Sequence, residues 1–170
     1  MNDAHLHMVL NHFPIIGTIL GLGILITGMI LKNNSVKNTA YVLFIVAAVF
    51  AAFSMGTGEG AEEMVEDMPT VGKQIIHEHE EMAEKLAVVL YVLGVISLGG
   101  LLLSYLKNTK AKMLSYVALV VAVVGVFFAQ QTGTTGGEVR HTEIRSNAVQ
   151  AAGTELNAVG GKQEESEEKE

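Results

Sequence analysis

Histidine is the residue type through which this chain could do chemistry. Six are present, at positions 5, 7, 12, 77, 79 and 141, and there is no cysteine. Thiolate ligation, disulfides and iron–sulfur clusters are therefore excluded, and imidazole remains as a ligand for haem iron, zinc, copper or non-haem iron. On one regular helix His7 and His12 lie about 140° apart in azimuth and about 7.5 Å apart along the axis, so they share a centre only if the helix starts irregularly. His77 and His79 lie about 200° apart, so only one of them faces inward. His79 shares its side with Met82, Ala83 and Leu86, whereas His77 shares its side with Glu80, Glu81 and Glu84. His79 is thus the ligand candidate and His77 a solvated residue. His141 follows the segment Thr132-Gly133-Thr134-Thr135-Gly136-Gly137. Those glycines permit a sharp turn that would fold His141 back over the neighbouring helices; the plainer reading is a flexible exit carrying a chance histidine. His5 is discounted as near-terminal. Glu59 and Glu80 could orient an imidazole by accepting its second N–H, or simply be acids of a wet loop. No HExxH motif and no nucleophile beside a base occur, so no catalytic group is assigned.

The elements that must position these residues are four apolar runs, 13–31, 39–55, 86–106 and 113–129, none containing a charged residue. A spanning helix needs roughly 17–25 apolar residues, and soluble helices break such runs with polar positions. Hydrophobic residues make up 49% of the chain, with a mean hydropathy of +0.38. The expected fold is all-α, an integral membrane four-helix up-down bundle. The first run is not a secretory signal, because the residues before it hold no lysine or arginine. Lys32 and Lys37 lie between the first and second runs, and Lys107, Lys110 and Lys112 between the third and fourth. Basic short loops stay in the cytoplasm, so the N-terminus, the 56–85 connection and the C-terminal tail face outward, as do all six histidines. Tyr41, Tyr91, Tyr105 and Tyr116 are the available interfacial aromatics, since tryptophan is absent.

Stripes of small or polar residues run along each helix at i, i+3, i+4 spacing and are expected to face the bundle interior. They are His7, Asn11, Pro14, Thr18, Gly21 and Gly28; Ala47, Ala51, Ser54 and Gly58; Ala83, Ala87, Leu90, Gly94 and Ser97; and Ser115, Ala118, Ala122, Gly125 and Ala129. Within the 56–85 connection, 61–67 reads as a short amphipathic helix ended by Pro69 and Gly72. A second helical segment begins near 71–74 and runs into the third span. The domain reading is a transmembrane unit over 1–150 and a disordered acidic tail over 151–170. The formal charge of -7 reflects clustered acids, and no basic patch suggests nucleic-acid binding.

Four motifs carry a family resemblance. Leu6-His7-Met8-Val9-Leu10-Asn11-His12-Phe13-Pro14 resembles the opening His-x-x-x-x-His-Phe-Pro of an uncharacterised bacterial four-helix membrane family, some members of which are suspected of binding haem b. Gly58-Glu59-Gly60-Ala61-Glu62 resembles its Gly-Glu-Pro-Ala-Glu, and His79-Glu80-Glu81-Met82-Ala83 its His-Glu-x-x-Ala. Gly136-Gly137-Glu138-Val139-Arg140-His141-Thr142-Glu143-Ile144-Arg145 resembles its exit motif. Met8 and Gly60 stand where the family has proline. The resemblance covers all but the acidic tail. It implies a bacterial inner-membrane location and a shared outer-face site of His7, His12, His79, His141 and Glu59, supported by Glu62, Arg140 and Glu143, with Glu80 as a further supporting acid.

Three functions are expected in this order. The first is a redox protein holding haem b through histidines, exchanging electrons with a quinone and an outer-face partner. The second is a non-haem zinc, copper or iron protein or sensor using His79, His141 and Glu59. The third is a structural subunit of a larger membrane complex.

Overall fold

A computed structural model describes residues 2–66, 68 and 71–145. The expected boundary at 150 and the acidic tail lie outside the described residues. The chain forms α1 (Asp3–Leu10), α2 (His12–Ile30), α3 (Asn34–Glu63), α4 (Lys73–Tyr105), α5 (Ala111–Arg140) and a short 3-10 turn (Thr142–Ile144). Taken with α1 as one continuing span, α2 makes the first of four helices long and apolar enough to cross a membrane. A 30-residue helix such as α3 is about 45 Å long at 1.5 Å per residue, against about 30 Å of hydrocarbon. Each helix therefore overhangs the apolar slab, and the overhang carries the charges and histidines.

Packing follows the small-residue stripes. Pro14, Thr18, Gly21 and Gly28 are buried in α2, Ala47, Ala51 and Ser54 in α3, Ala87, Leu90, Gly94 and Ser97 in α4, and Ser115, Ala118, Ala122, Gly125 and Ala129 in α5. The large side chains Val88, Val95, Val120 and Phe127 point outward, the arrangement a lipid solvent favours because close backbone approach replaces hydrophobic burial as the driving force. Helix α2 packs on α3, α3 on α4, α4 on α5 and α5 back on α2, which closes a four-membered ring of antiparallel neighbours.

Two expectations need correction. No separate helix spans 61–67: Ala61, Glu62 and Glu63 are the last turn of α3, because nothing between Met55 and Glu63 breaks the ladder, and Gly56, Gly58 and Gly60 are tolerated within it. Asp67 and Pro69 lie outside the described residues. The outer connection is thus made by the overhanging ends of α3 and α4. The glycines at 133, 136 and 137 do not turn the chain either, since α5 continues through them to Arg140. Its end is capped instead by Arg145, whose guanidinium donates to the carbonyls of Glu138 (2.8 Å) and Val139 (3.2 Å). The first helix is interrupted only locally at Asn11, whose backbone stays right-handed (φ -66°, ψ -19°) with its N–H on the His7 carbonyl. Pro14 has no N–H for the Leu10 carbonyl and its ring crowds that group, so one bond of the ladder is lost there while the span runs on from Asp3 to Ile30.

Candidate functional site

The break at Asn11 lays α1 against α3. Asn2 starts α1 by accepting the His5 amide at 3.0 Å, and one face then brings His7 to the end of α3. The Nδ1 of His7 lies 3.0 Å from the Ser54 carbonyl and 3.2 Å from the Thr57 hydroxyl. A carbonyl only accepts, so Nδ1 carries the proton. Thr57 gives its own hydroxyl proton to the Ser54 carbonyl (3.0 Å) or the Phe53 carbonyl (3.2 Å), so its oxygen also accepts from the imidazole.

The second histidine is held the same way. His79 sits in the first turns of α4, facing the end of α5, with Nδ1 3.2 Å from the Thr135 hydroxyl. Thr135 donates to the carbonyls of Gln131 (3.1 Å) or Thr132 (3.3 Å), so it too accepts from the ring. The Thr132 carbonyl is a further backbone partner of His79. In both neutral imidazoles the proton is on Nδ1 and the lone pair is on Nε2, the tautomer that ligates through Nε2. Among the described residues no hydrogen bond reaches either Nε2. Both rings are partly buried, His7 against the end of α3 and His79 against the end of α5. Beside them the Thr132 hydroxyl is 7% exposed and has no hydrogen-bond partner among the described residues, a cost of about 1–3 kcal/mol unless a bound group or water meets it.

The remaining candidates are placed elsewhere. His12 is exposed, its Nδ1 bonded to the Met8 carbonyl at 2.7 Å. It heads an apolar surface groove of about 280 Å³ lined by Phe13, Ile16, Leu20, Leu43 and Val46. His141 is exposed and pairs with Glu143 at 2.9 Å. The Glu143 carboxyl is held below the usual carboxylate range, first by its own backbone N–H and then by His141. His77 is solvated beside Glu80 and Glu81. Glu59 is exposed and meets neither ring. Glu62 and Glu80 approach each other across α3 and α4 within hydrogen-bonding reach, and Arg140 reaches the Met68 sulfur at 3.3 Å. Among the described residues no three histidine or carboxylate side chains gather as a metal-ion cluster.

The site therefore brings together His7 and His79 and adds Ser54, Thr57, Thr132 and Thr135, which the sequence reading missed. Their signal was a pattern occurring twice, Ser54-x-x-Thr57-Gly58 and Thr132-x-x-Thr135-Gly136. Comparison with protein-family models, with curated proteins and with solved structures finds no match.

Proposed function

We propose that this chain is a redox protein of the bacterial cytoplasmic membrane, in which His7 and His79 hold one haem b at the histidine end of the bundle. The carrying observation is the pair of Nε2 atoms, each opposite an Nδ1–H fixed by a threonine. The donor set fits haem better than a bare ion. Haem iron brings four donors in its own ring and asks two of the protein, whereas a structural zinc asks four, and no cluster of three is present among the described residues. The unpartnered Thr132 hydroxyl supplies a donor toward a polar edge of the bound group. Neither the groove headed by His12 nor the concavity at Tyr91 and Val95 is lined by His7 or His79, so admitting a porphyrin requires the hairpins to part where Gly58 and Gly136 stand beside the rings. Bound haem would supply a one-electron couple.

The four-motif resemblance supports this reading. The groove headed by His12 offers an apolar channel with one polar group at its mouth, suited to a quinone ring and its isoprenoid tail. The lysine-bearing turns support placing the histidine end outside the cytoplasm.

The test is a reduced-minus-oxidised visible spectrum of detergent-purified protein expressed with ample haem supply. The expected result is the sharp paired bands of a bis-histidine haem, lost in His7→Ala and in His79→Ala and kept in His141→Ala. A colourless wild-type protein that takes up no added haem would end the proposal.

A further inference from the structure

The buried faces of the two halves of the bundle correspond at constant offsets, although Ile76, Ala87 and Gly94 in α4, Tyr41 in α3 and Ser115 in α5 have no buried counterpart. Every buried residue of α2 has a buried counterpart in α4 at one constant offset: Pro14 and Leu86, Thr18 and Leu90, Gly21 and Leu93, Leu25 and Ser97, Gly28 and Gly100. The same offset pairs His7 with His79. In the second helices the buried pairs are Ala40 and Ala118, Phe44 and Ala122, Ala47 and Gly125, Ala51 and Ala129, Ser54 and Thr132. That offset also pairs Thr57 with Thr135 and Gly58 with Gly136.

The turns agree too. Leu31-Lys32-Asn33 and Leu106-Lys107-Asn108 both place lysine at positive φ, 51° and 52°. Both close the helix with the asparagine amide on the carbonyl five residues back, Gly28 or Leu103, at 2.9 Å, the six-to-one bond of a Schellman cap. Shared burial could follow from any antiparallel bundle. A shared non-glycine αL turn, a shared histidine and a shared threonine-glycine pair do not.

We infer that the bundle is a tandem repeat of one histidine-bearing hairpin, in which Thr57 and Thr135 are equivalent positioning residues that present the Nε2 atoms of His7 and His79 as a matched donor pair to a single metal centre between the hairpins. The final clause rests on the haem reading; the repeat and the tautomers do not. Each threonine is itself oriented by backbone carbonyls of its helix end, so each hairpin aims its histidine without help from the other.

The test uses the full chain in nanodiscs, ¹⁵N-labelled at histidine, at a pH above the ordinary histidine range. Long-range ¹H–¹⁵N spectra report the tautomer of each ring, assigned with His7→Gln and His79→Gln. Both rings are expected as Nδ1–H. Because the Ser54 and Thr132 carbonyls still accept from Nδ1, Thr57→Val should keep His7 as Nδ1–H but broaden its ring resonances alone, and Thr135→Val should do the same to His79 alone, with Thr57→Ser and Thr135→Ser restoring them. Ferric haem titrated into the same samples should bind about 10-fold more weakly to each valine variant, the lower end of the usual effect of losing a group that orients a ligand. An Nε2–H tautomer at either ring, ring resonances indifferent to the valine substitutions, or haem affinity lost in only one valine variant would overturn the inference. Matched Nδ1–H rings whose order depends on the threonines, in a protein that binds no haem, would overturn the haem reading and leave the repeat standing.

Discussion

A methyl group added at position 136 would sit 2.9 Å from Cε1 of His79 and 3.2 Å from its Nδ1, whereas one added at position 58 would sit 3.9 Å from Cε1 of His7. The first is a clash and the second an ordinary contact. Gly136→Ala should therefore displace the His79 ring from Thr135 and weaken haem uptake about 10-fold or more, by the same loss of ligand orientation. Gly58→Ala should leave His7 in place, and both helices should gain up to about 1 kcal/mol of intrinsic propensity. Haem titration followed at the Soret band, with thermal unfolding alongside, separates the two effects. At the other end of the same segment, the exposed His141–Glu143 pair should behave independently of the site. The carboxyl pKa is lowered in the folded chain, so whatever the pair contributes is present above the usual carboxylate range and lost as pH falls through the lowered value. His141→Ala should raise the Glu143 titration midpoint toward its ordinary value by NMR and leave haem affinity unchanged.

Between elements, close approach is governed by the few positions where a large side chain faces a glycine. Tyr41 is 2% exposed and its ring occupies the space of a side chain at 100, where an added Cβ would lie 2.6 Å from Cζ. Its hydroxyl bonds Ser115 at 2.9 Å, tying α3 to α5 across the interior. Gly100→Ala should cost about 1–3 kcal/mol by overpacking a ring with no room to retreat. Tyr41→Phe should cost only about 0.6 kcal/mol, the average for hydrogen bonds inside a membrane bundle. Equilibrium unfolding in mixed micelles measures both. The positions of these elements were legible from composition: uncharged apolar runs gave the spans, and stripes such as Ala118, Ala122, Gly125 and Ala129 gave the inward faces, because lipid leaves small residues as the main determinant of packing. The helix ends were not legible. Gly133, Gly136 and Gly137 read as a turn, yet a helix rooted in a packed bundle runs straight through them, since tertiary contact outweighs about 1 kcal/mol per glycine. That misreading hid the site, because Thr57 and Thr135 can meet an imidazole only if they stand on a continuous helix facing it. The inward side of His7 was legible from its place on the small-residue stripe, but spacing alone could not say that Asn11 interrupts the first helix, nor that His12 is left exposed.

For the whole molecule, the repeat and the charge pattern point the same way. Each hairpin begins at the histidine end, turns at a lysine, and returns, so both lysine turns fall on one side of the bundle and both histidines on the other. Lys32, Lys37, Lys107, Lys110 and Lys112 crowd the turn side, and none of the short loops on that side contains an acid. Short loops rich in lysine are generally retained in the cytoplasm, so on the proposed orientation both hairpins enter the membrane in one direction. The chain has no cysteine, so a single introduced thiol reports its own side without background. Ser35→Cys, in the first lysine turn, should resist a membrane-impermeant maleimide in intact spheroplasts and label only after permeabilisation. Gly72→Cys, exposed at the start of α4, should label at once. Substituting Lys32, Lys37, Lys107, Lys110 and Lys112 together by glutamine should weaken this preference and yield a mixed population. The reverse labelling pattern in the unaltered background would put the histidine pair in the cytoplasm and rule out an electron acceptor on the outer face, while the pairing of His7 with His79 would be untouched.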